Sequence, residues 1–188
     1  MRFENRIILG VFAIFVCWLF YQLNQIIHEK PPESLDFGAT TEFINPNDIK
    51  YTILPILKQC EINNPEKKFL IIIHNRAESF HRRKQIRESF GQSWIKENWK
   101  FDIIFVLGKP QNLLIQKVVE NEAKVYGDIL QSTILDAYRN LTYKAVSWMK
   151  FLHEKCNKIE YILKIDDDVV PDFSVVGQII DGYKEELK

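Results

Sequence analysis

Residues 161–172 read YILKIDDDVVPD, an apolar strand-like stretch that runs into three consecutive aspartates, Asp166, Asp167 and Asp168. Each carboxylate raises the cost of ionising the next. Two readings account for the arrangement. In one the aspartates form a solvated loop or a cap, because Asp is common where strands end and helices begin. In the other they are hard oxygen ligands held together by a shared divalent cation and aimed by the strand before them.

The residues upstream supply the context. FLIII, Phe69–Ile73, is short, apolar and rich in β-branched residues, the pattern of a strand buried on both faces. SFHRRKQIRESFG follows, with a Ser79 cap candidate, apolar Phe80, Ile86 and Phe90, and a stop at Gly91, which predicts a helix. FDIIFVLG is a second strand. NLLIQKVVENEAKVYG has helical spacing at Leu114, Val118 and Val125 and stops at Gly127. The spacing predicts one long helix from Ile134 to about Lys155, with Leu135, Tyr138, Ala145, Met149 and Leu152 on one side. YILKI is the third strand. Strands joined by helical crossovers imply an α/β fold with a parallel sheet. Ligands on such sheets sit beyond the carboxyl ends of the strands at a switch in strand order, which is where the aspartates fall.

The chain has 188 residues, no net formal charge and 46% hydrophobic residues, which fits one modest globular domain. A balanced charge gives no reason to expect a nucleic-acid partner, since that binding leans on a basic face. The N-terminus differs in kind. Ile7–Leu23, IILGVFAIFVCWLFYQL, is almost wholly apolar and is extended by Ile26 and Ile27 towards the roughly 20 residues that span a bilayer core. Arg2 and Arg6 precede it, so the positive-inside rule predicts a cytosolic tail over 1–6, a transmembrane signal anchor over 7–27 and a lumenal remainder. The bulky residues after the apolar core offer no small-x-small cleavage site, which disfavours a removable signal peptide. Residues 28–66, rich in proline, are expected to be a stem. The globular part is expected over 67–188.

RRKQIRESFG, FDIIFVLG, ENEAKVYGDIL, DAYRNLTYKAVSWM and YILKIDDDV resemble, in order and spacing, the galactosyltransferase family of inverting β-1,3-glycosyltransferases. The resemblance runs from about Cys60 to the end of the chain. It implies a Golgi type II membrane protein, single-pass, with a GT-A, Rossmann-like nucleotide-binding half. It also implies transfer of galactose or N-acetylglucosamine from a UDP-sugar to a glycan hydroxyl in β-1,3 linkage, the acceptor being a glycoprotein or glycolipid. The family's DxD motif, which binds Mn²⁺ and the nucleotide diphosphate, is met by Asp166, Asp167 and Asp168. By resemblance Asp168 is the direct metal ligand with Asp166 beside it, and Asp166 and Asp167 also contact the nucleotide-sugar. Arg83 and Arg87, four apart and so on one helix face, match the family's paired arginines and are expected at the nucleotide; Arg82 is expected in solvent. Asp128 and Asp136 also match family positions, the first ordering the turn after Gly127 or approaching the nucleotide, the second capping or bracing the long helix. His74 follows the first strand, where a structural role is the commoner one. The family's general base lies in an acceptor-binding half expected beyond Lys188, so no catalytic base is assigned here. The alternative is an inactive membrane-anchored remnant that keeps only the nucleotide-binding half.

Two further expectations concern the lumen. Cys60 and Cys156 each precede a strand, Phe69 and Tyr161 respectively, that should be parallel neighbours across the switch point, so a Cys60–Cys156 disulfide is expected. Asn140-Leu-Thr is an N-glycosylation sequon placed inside a predicted helix.

Overall fold

The computed structural model describes residues 45–56, 69–156 and 159–186. The expected anchor and most of the expected stem, Cys60 included, lie outside them. Among the described residues no helix is long and apolar enough to cross a membrane.

Five strands form one sheet: β1 (Tyr51–Ile53), β2 (Phe69–His74), β3 (Phe101–Lys109), β4 (Ile129–Leu135) and β5 (Tyr161–Asp166), in the order β1-β4-β3-β2-β5. The pairs β2–β3, β3–β4 and β2–β5 are parallel, and β1 runs antiparallel along the outer edge of β4. The chain therefore builds outward from β2 through β3 to β4, then returns to the other side of β2 with β5. That return is the switch in strand order, and its register sets His74 beside Asp166.

The expected parallel sheet is present, and the apolar run of β2 shows why it sits at the centre. Leu70, Ile71, Ile72 and Ile73 are all fully buried, because successive side chains enter opposite layers. Phe69, Ile71 and Ile73 face a layer built by α1 (Phe80–Glu88), α2 (Ser93–Trp99), α3 (Leu113–Tyr126) and α5 (Phe173–Glu186). Leu70 and Ile72 face Trp148, Phe151 and Leu152 of α4 (Leu141–Lys155). Phe173 anchors α5 by stacking on Phe101, with centroids 4.7 Å apart. Asp172 caps the same helix, accepting from the Ser174 amide at 2.9 Å.

Several expectations are corrected. Tyr51–Ile53, expected within the stem, is an edge strand, pinned by the Thr52 hydroxyl donating to the Gln131 side chain at 2.8 Å. Ile129–Leu135 forms β4, so Ile134 and Leu135 belong not to the long helix but to a strand. Its inward positions include Gln131 and Ser132, both buried, which interrupt the apolar pattern a strand reading needs. The long helix accordingly starts at Leu141 after a single turn at Tyr138–Asn140, and Tyr138 and Met149 are exposed. On α3 the buried residues are Gln116, Val119 and Ala123, while Leu114, Val118 and Val125 face outward. A polar residue leads the true inner stripe: the Gln116 amide donates to the Gln131 side chain at 2.9 Å and so is buried without penalty.

Candidate active site

The carboxyl ends of β2 and β5 meet at the switch point, where a buried polar frame fixes the loop after β2. The Asn75 amide donates to the Val106 carbonyl at 3.2 Å, and the Asn75 carbonyl accepts from Lys144 Nζ at 3.0 Å. Lys144 also donates to Asp136 Oδ1 at 2.7 Å, and Asp136 Oδ2 accepts from the Ala77 amide at 2.7 Å. Asp136 thus braces the long helix, as one of its two expected roles had it, and ties that helix to the β2–α1 loop. Gly108 makes the approach possible, since a Cβ there would lie 2.7 Å from the Asp136 Cα.

The strand β5 delivers Asp166 as its last residue, and Asp167 and Asp168 form the turn that follows. Asp166 and Asp168 are exposed; Asp167 is half-buried and accepts a hydrogen bond from Asn75 Nδ2. Lys164, two residues back on the same face of the strand, donates to Asp166 Oδ1 and holds that carboxyl below the usual Asp range. His74 is half-buried against α4, accepting from Trp148 Nε1 at 3.0 Å. Burial, followed by the charges of Lys164 and Lys144, pushes its pKa down to about 4, so the imidazole is neutral near pH 7.

The two arginines share one carboxylate, Glu122. Arg83 is fully buried and its donors are spent: Nε and Nη2 on Glu122 at 2.8 and 2.6 Å, Nη2 also on the Ala77 carbonyl, and Nη1 on the Arg76 carbonyl and Asn75 Oδ1. In this conformation it has no donor left for a nucleotide. Arg87 grips Asp128 in a two-pronged pair and donates to Glu122 at 2.7 Å, with its guanidinium 4.0 Å from the Tyr126 ring centroid. Burial alone would lower its pKa, but the bonds and charges of Asp128 and Glu122 reverse that and raise it. Burial would likewise raise Glu122, yet Arg83 and Arg87 together hold it low. Asp128 orders the start of β4 and faces Arg87, so the four groups form a brace linking α1, α3 and β4.

A family model for galactosyltransferases matches residues 81–187, more than half of the chain. The chain belongs to the galactosyltransferase family. It is 33% identical over 139 residues to beta-1,3-galactosyltransferase 1 of Homo sapiens, covering 73% of this chain and 41% of that protein. The same figures hold for the Mus musculus protein. It is also 27% identical over 167 residues to beta-1,3-galactosyltransferase 4 of Rattus norvegicus, covering 88% of this chain and 45% of that one. The chain thus matches less than half the length of these relatives.

Membership gives the aspartates a test that the geometry can meet. Among the described residues no three His, Cys, Asp or Glu side chains converge to hold a metal on their own. Asp166 and Asp168 nevertheless present two outward carboxylates at one turn. That donor set fits a hard divalent cation bound through one or two carboxylates and completed by substrate phosphates.

Sequence reasoning missed Asn75, Glu122 and Lys144. Glu122 lies within ENEAKVYGDIL, four residues before Tyr126, but nothing in that spacing announces its partners on another helix. Lys144 is three residues from Ser147 and one turn before Trp148, on the buried face of α4, a position where a lysine is read as solvent-facing until its partner Asp136 is known.

Two lumenal expectations have different outcomes. Cys156 is disulfide-bonded, while Cys60, its expected partner, lies outside the described residues. Asn140 of the sequon is 1% exposed and its Nδ2 donates to the Leu135 carbonyl at 3.1 Å, so the nitrogen that would carry a sugar is inside the fold.

Proposed function

We propose that this chain is the nucleotide-sugar-binding half of a β-1,3-hexosyltransferase, which moves galactose or N-acetylglucosamine from a UDP-sugar to a glycan hydroxyl on a glycoprotein or glycolipid. We further infer a single-pass type II arrangement in the Golgi membrane, supported by the apolar run at Ile7–Leu23 with its preceding arginines. The observation that carries the reading is the turn Asp166–Asp168 at the end of β5, beside the end of β2 where the strand order switches.

Asp166 and Asp168 would hold Mn²⁺. The ion, when bound, supplies Lewis-acid neutralisation of the charge that develops on the departing diphosphate. The chain's own groups prepare that site. Lys164 keeps Asp166 ionised, Asn75 occupies Asp167, and the Lys144–Asp136 pair holds the neighbouring loop rigid. Preformed carboxylates of this kind need no reorganisation when a diphosphate arrives. Deprotonating the acceptor hydroxyl requires a general base, and no residue here is assigned that role.

Calorimetry of UDP with the full chain in detergent, with and without Mn²⁺, tests the proposal. Binding is expected only with the cation and is expected to be lost in Asp168→Ala. Equal affinity in parent and variant, or equal affinity without Mn²⁺, would overturn it.

A further inference from the structure

Asn75 is 3% exposed and stands between a buried cation and the acidic turn. Its backbone is fixed at both ends, the amide on Val106 and the carbonyl on Lys144. Its side chain is fixed by chemistry. An arginine carries only donors, so the amide oxygen must be the atom that faces Arg83 Nη1, and the NH₂ group is therefore turned to Asp167. A donor in that place requires Asp167 to receive it as an acceptor. Arg83, in turn, cannot rotate away, because its remaining donors are held by Glu122, Arg76 and Ala77.

We propose that Asn75 is a positioning residue: it relays the fixed orientation of Arg83 to Asp167, turning the middle aspartate inward so that Asp166 and Asp168 are left facing out as a pair. The inference rests on the nucleotide reading only for what that pair binds; the clamp itself is a property of the fold. It also assigns buried Arg83 a part in the site, two hydrogen bonds away from Asp167. A carboxylate at position 75 would keep the bond to Arg83 but oppose Asp167 with a like charge, whereas exchanging the two groups would rebuild the bond in reverse.

The experiment is a reciprocal exchange in the full chain. Asn75→Asp is expected to weaken Mn²⁺-dependent UDP binding at least about tenfold, a loss of about 1.4 kcal/mol. Asn75→Asp combined with Asp167→Asn is expected to recover most of it, since the amide then placed at position 167 can donate to the carboxylate then placed at position 75. A purely structural Asn75 would show the loss without the recovery, and unchanged affinity in Asn75→Asp or no recovery in the double variant would overturn the proposal. A second readout needs no ligand: the Asn75 side-chain NH₂, seen by nuclear magnetic resonance, should exchange with solvent at least about tenfold faster in Asp167→Ala. Unchanged exchange overturns the clamp. A parent chain that shows the exchange difference but binds no UDP overturns the nucleotide reading and leaves the clamp standing.

Discussion

Arg87 and Asp128 form a two-pronged pair, Nε to Oδ2 at 2.7 Å and Nη2 to Oδ1 at 2.8 Å, that joins the first helix to the start of β4. Glu122 completes it by accepting from both Arg87 and Arg83. The carboxylate is the shared member, so its removal takes the charge partner from fully buried Arg83 and one of two from Arg87. Glu122→Ala is expected to cost about 3 to 5 kcal/mol, the usual penalty for breaking a buried charge pair. Asp128→Ala should cost less, since Arg87 keeps Glu122. Urea unfolding of both variants gives the order; a larger loss in Asp128→Ala would show that Glu122 is not the hub.

The close approach at Gly108 makes a second expectation. An added Cβ would meet Asp136 Cα at 2.7 Å and both the Asp136 nitrogen and the Ile134 oxygen at 2.8 Å, all backbone atoms with no side chain that can yield. Gly108→Ala should therefore cost about 1 to 3 kcal/mol, as overpacking does. Gly182, inside α5, has nothing within 4 Å of its added Cβ, so Gly182→Ala should be stabilising by about 0.5 to 1 kcal/mol. Thermal unfolding of the pair checks both signs.

What was legible in the sequence was carried by local pattern. FLIII is apolar at every position because both faces of β2 are covered, and the Gly127 stop is real because that residue has φ 66°. The acidic run after YILKI lies at the switch point because a crossover brings β5 back beside β2. What failed depended on distant partners. Gln116, Gln131 and Lys144 are buried because each finds its hydrogen bonds on another element, and periodicity of apolar residues cannot see that. Arg83 and Arg87 share a helix face as expected, yet which way that face points is set by Glu122 and Asp128, some 35 to 41 residues away.

The burial of Asn140 bears on processing. Its Nδ2 is a donor to the Leu135 carbonyl at the end of β4, and its side chain has essentially no solvent exposure. A glycan on that nitrogen would break the hydrogen bond and expel the turn that starts α4. Protein expressed in a glycosylating host is expected to show no change in mobility on enzymatic deglycosylation at Asn140, judged against Asn140→Gln. A shift present in the parent and absent in the variant would show that this segment adopts another conformation.

His74 gives the fold a pH dependence with a definite sign. Burial, then Lys164 and Lys144, lowers its pKa from 6.5 to about 4, partly opposed by Asp166 and Asp136. Between those values the unfolded chain holds a proton on this residue that the folded chain does not, so stability rises with pH across that window. The contribution is complete above about pH 6.5, declines as pH falls, and is gone once the folded imidazole also protonates near pH 4. Trp148 Nε1 needs an acceptor at this position, and glutamine supplies one without titrating, so His74→Gln isolates the effect from the carboxylates that protonate in the same range. The parent's melting temperature should fall more steeply than that of His74→Gln between pH 6.5 and 4, with parallel slopes above about pH 7. Profiles that stay parallel throughout would mean that the imidazole titrates alike in the folded and unfolded chain, charged below about pH 6.5, where the Trp148 bond to its Nε2 could not form.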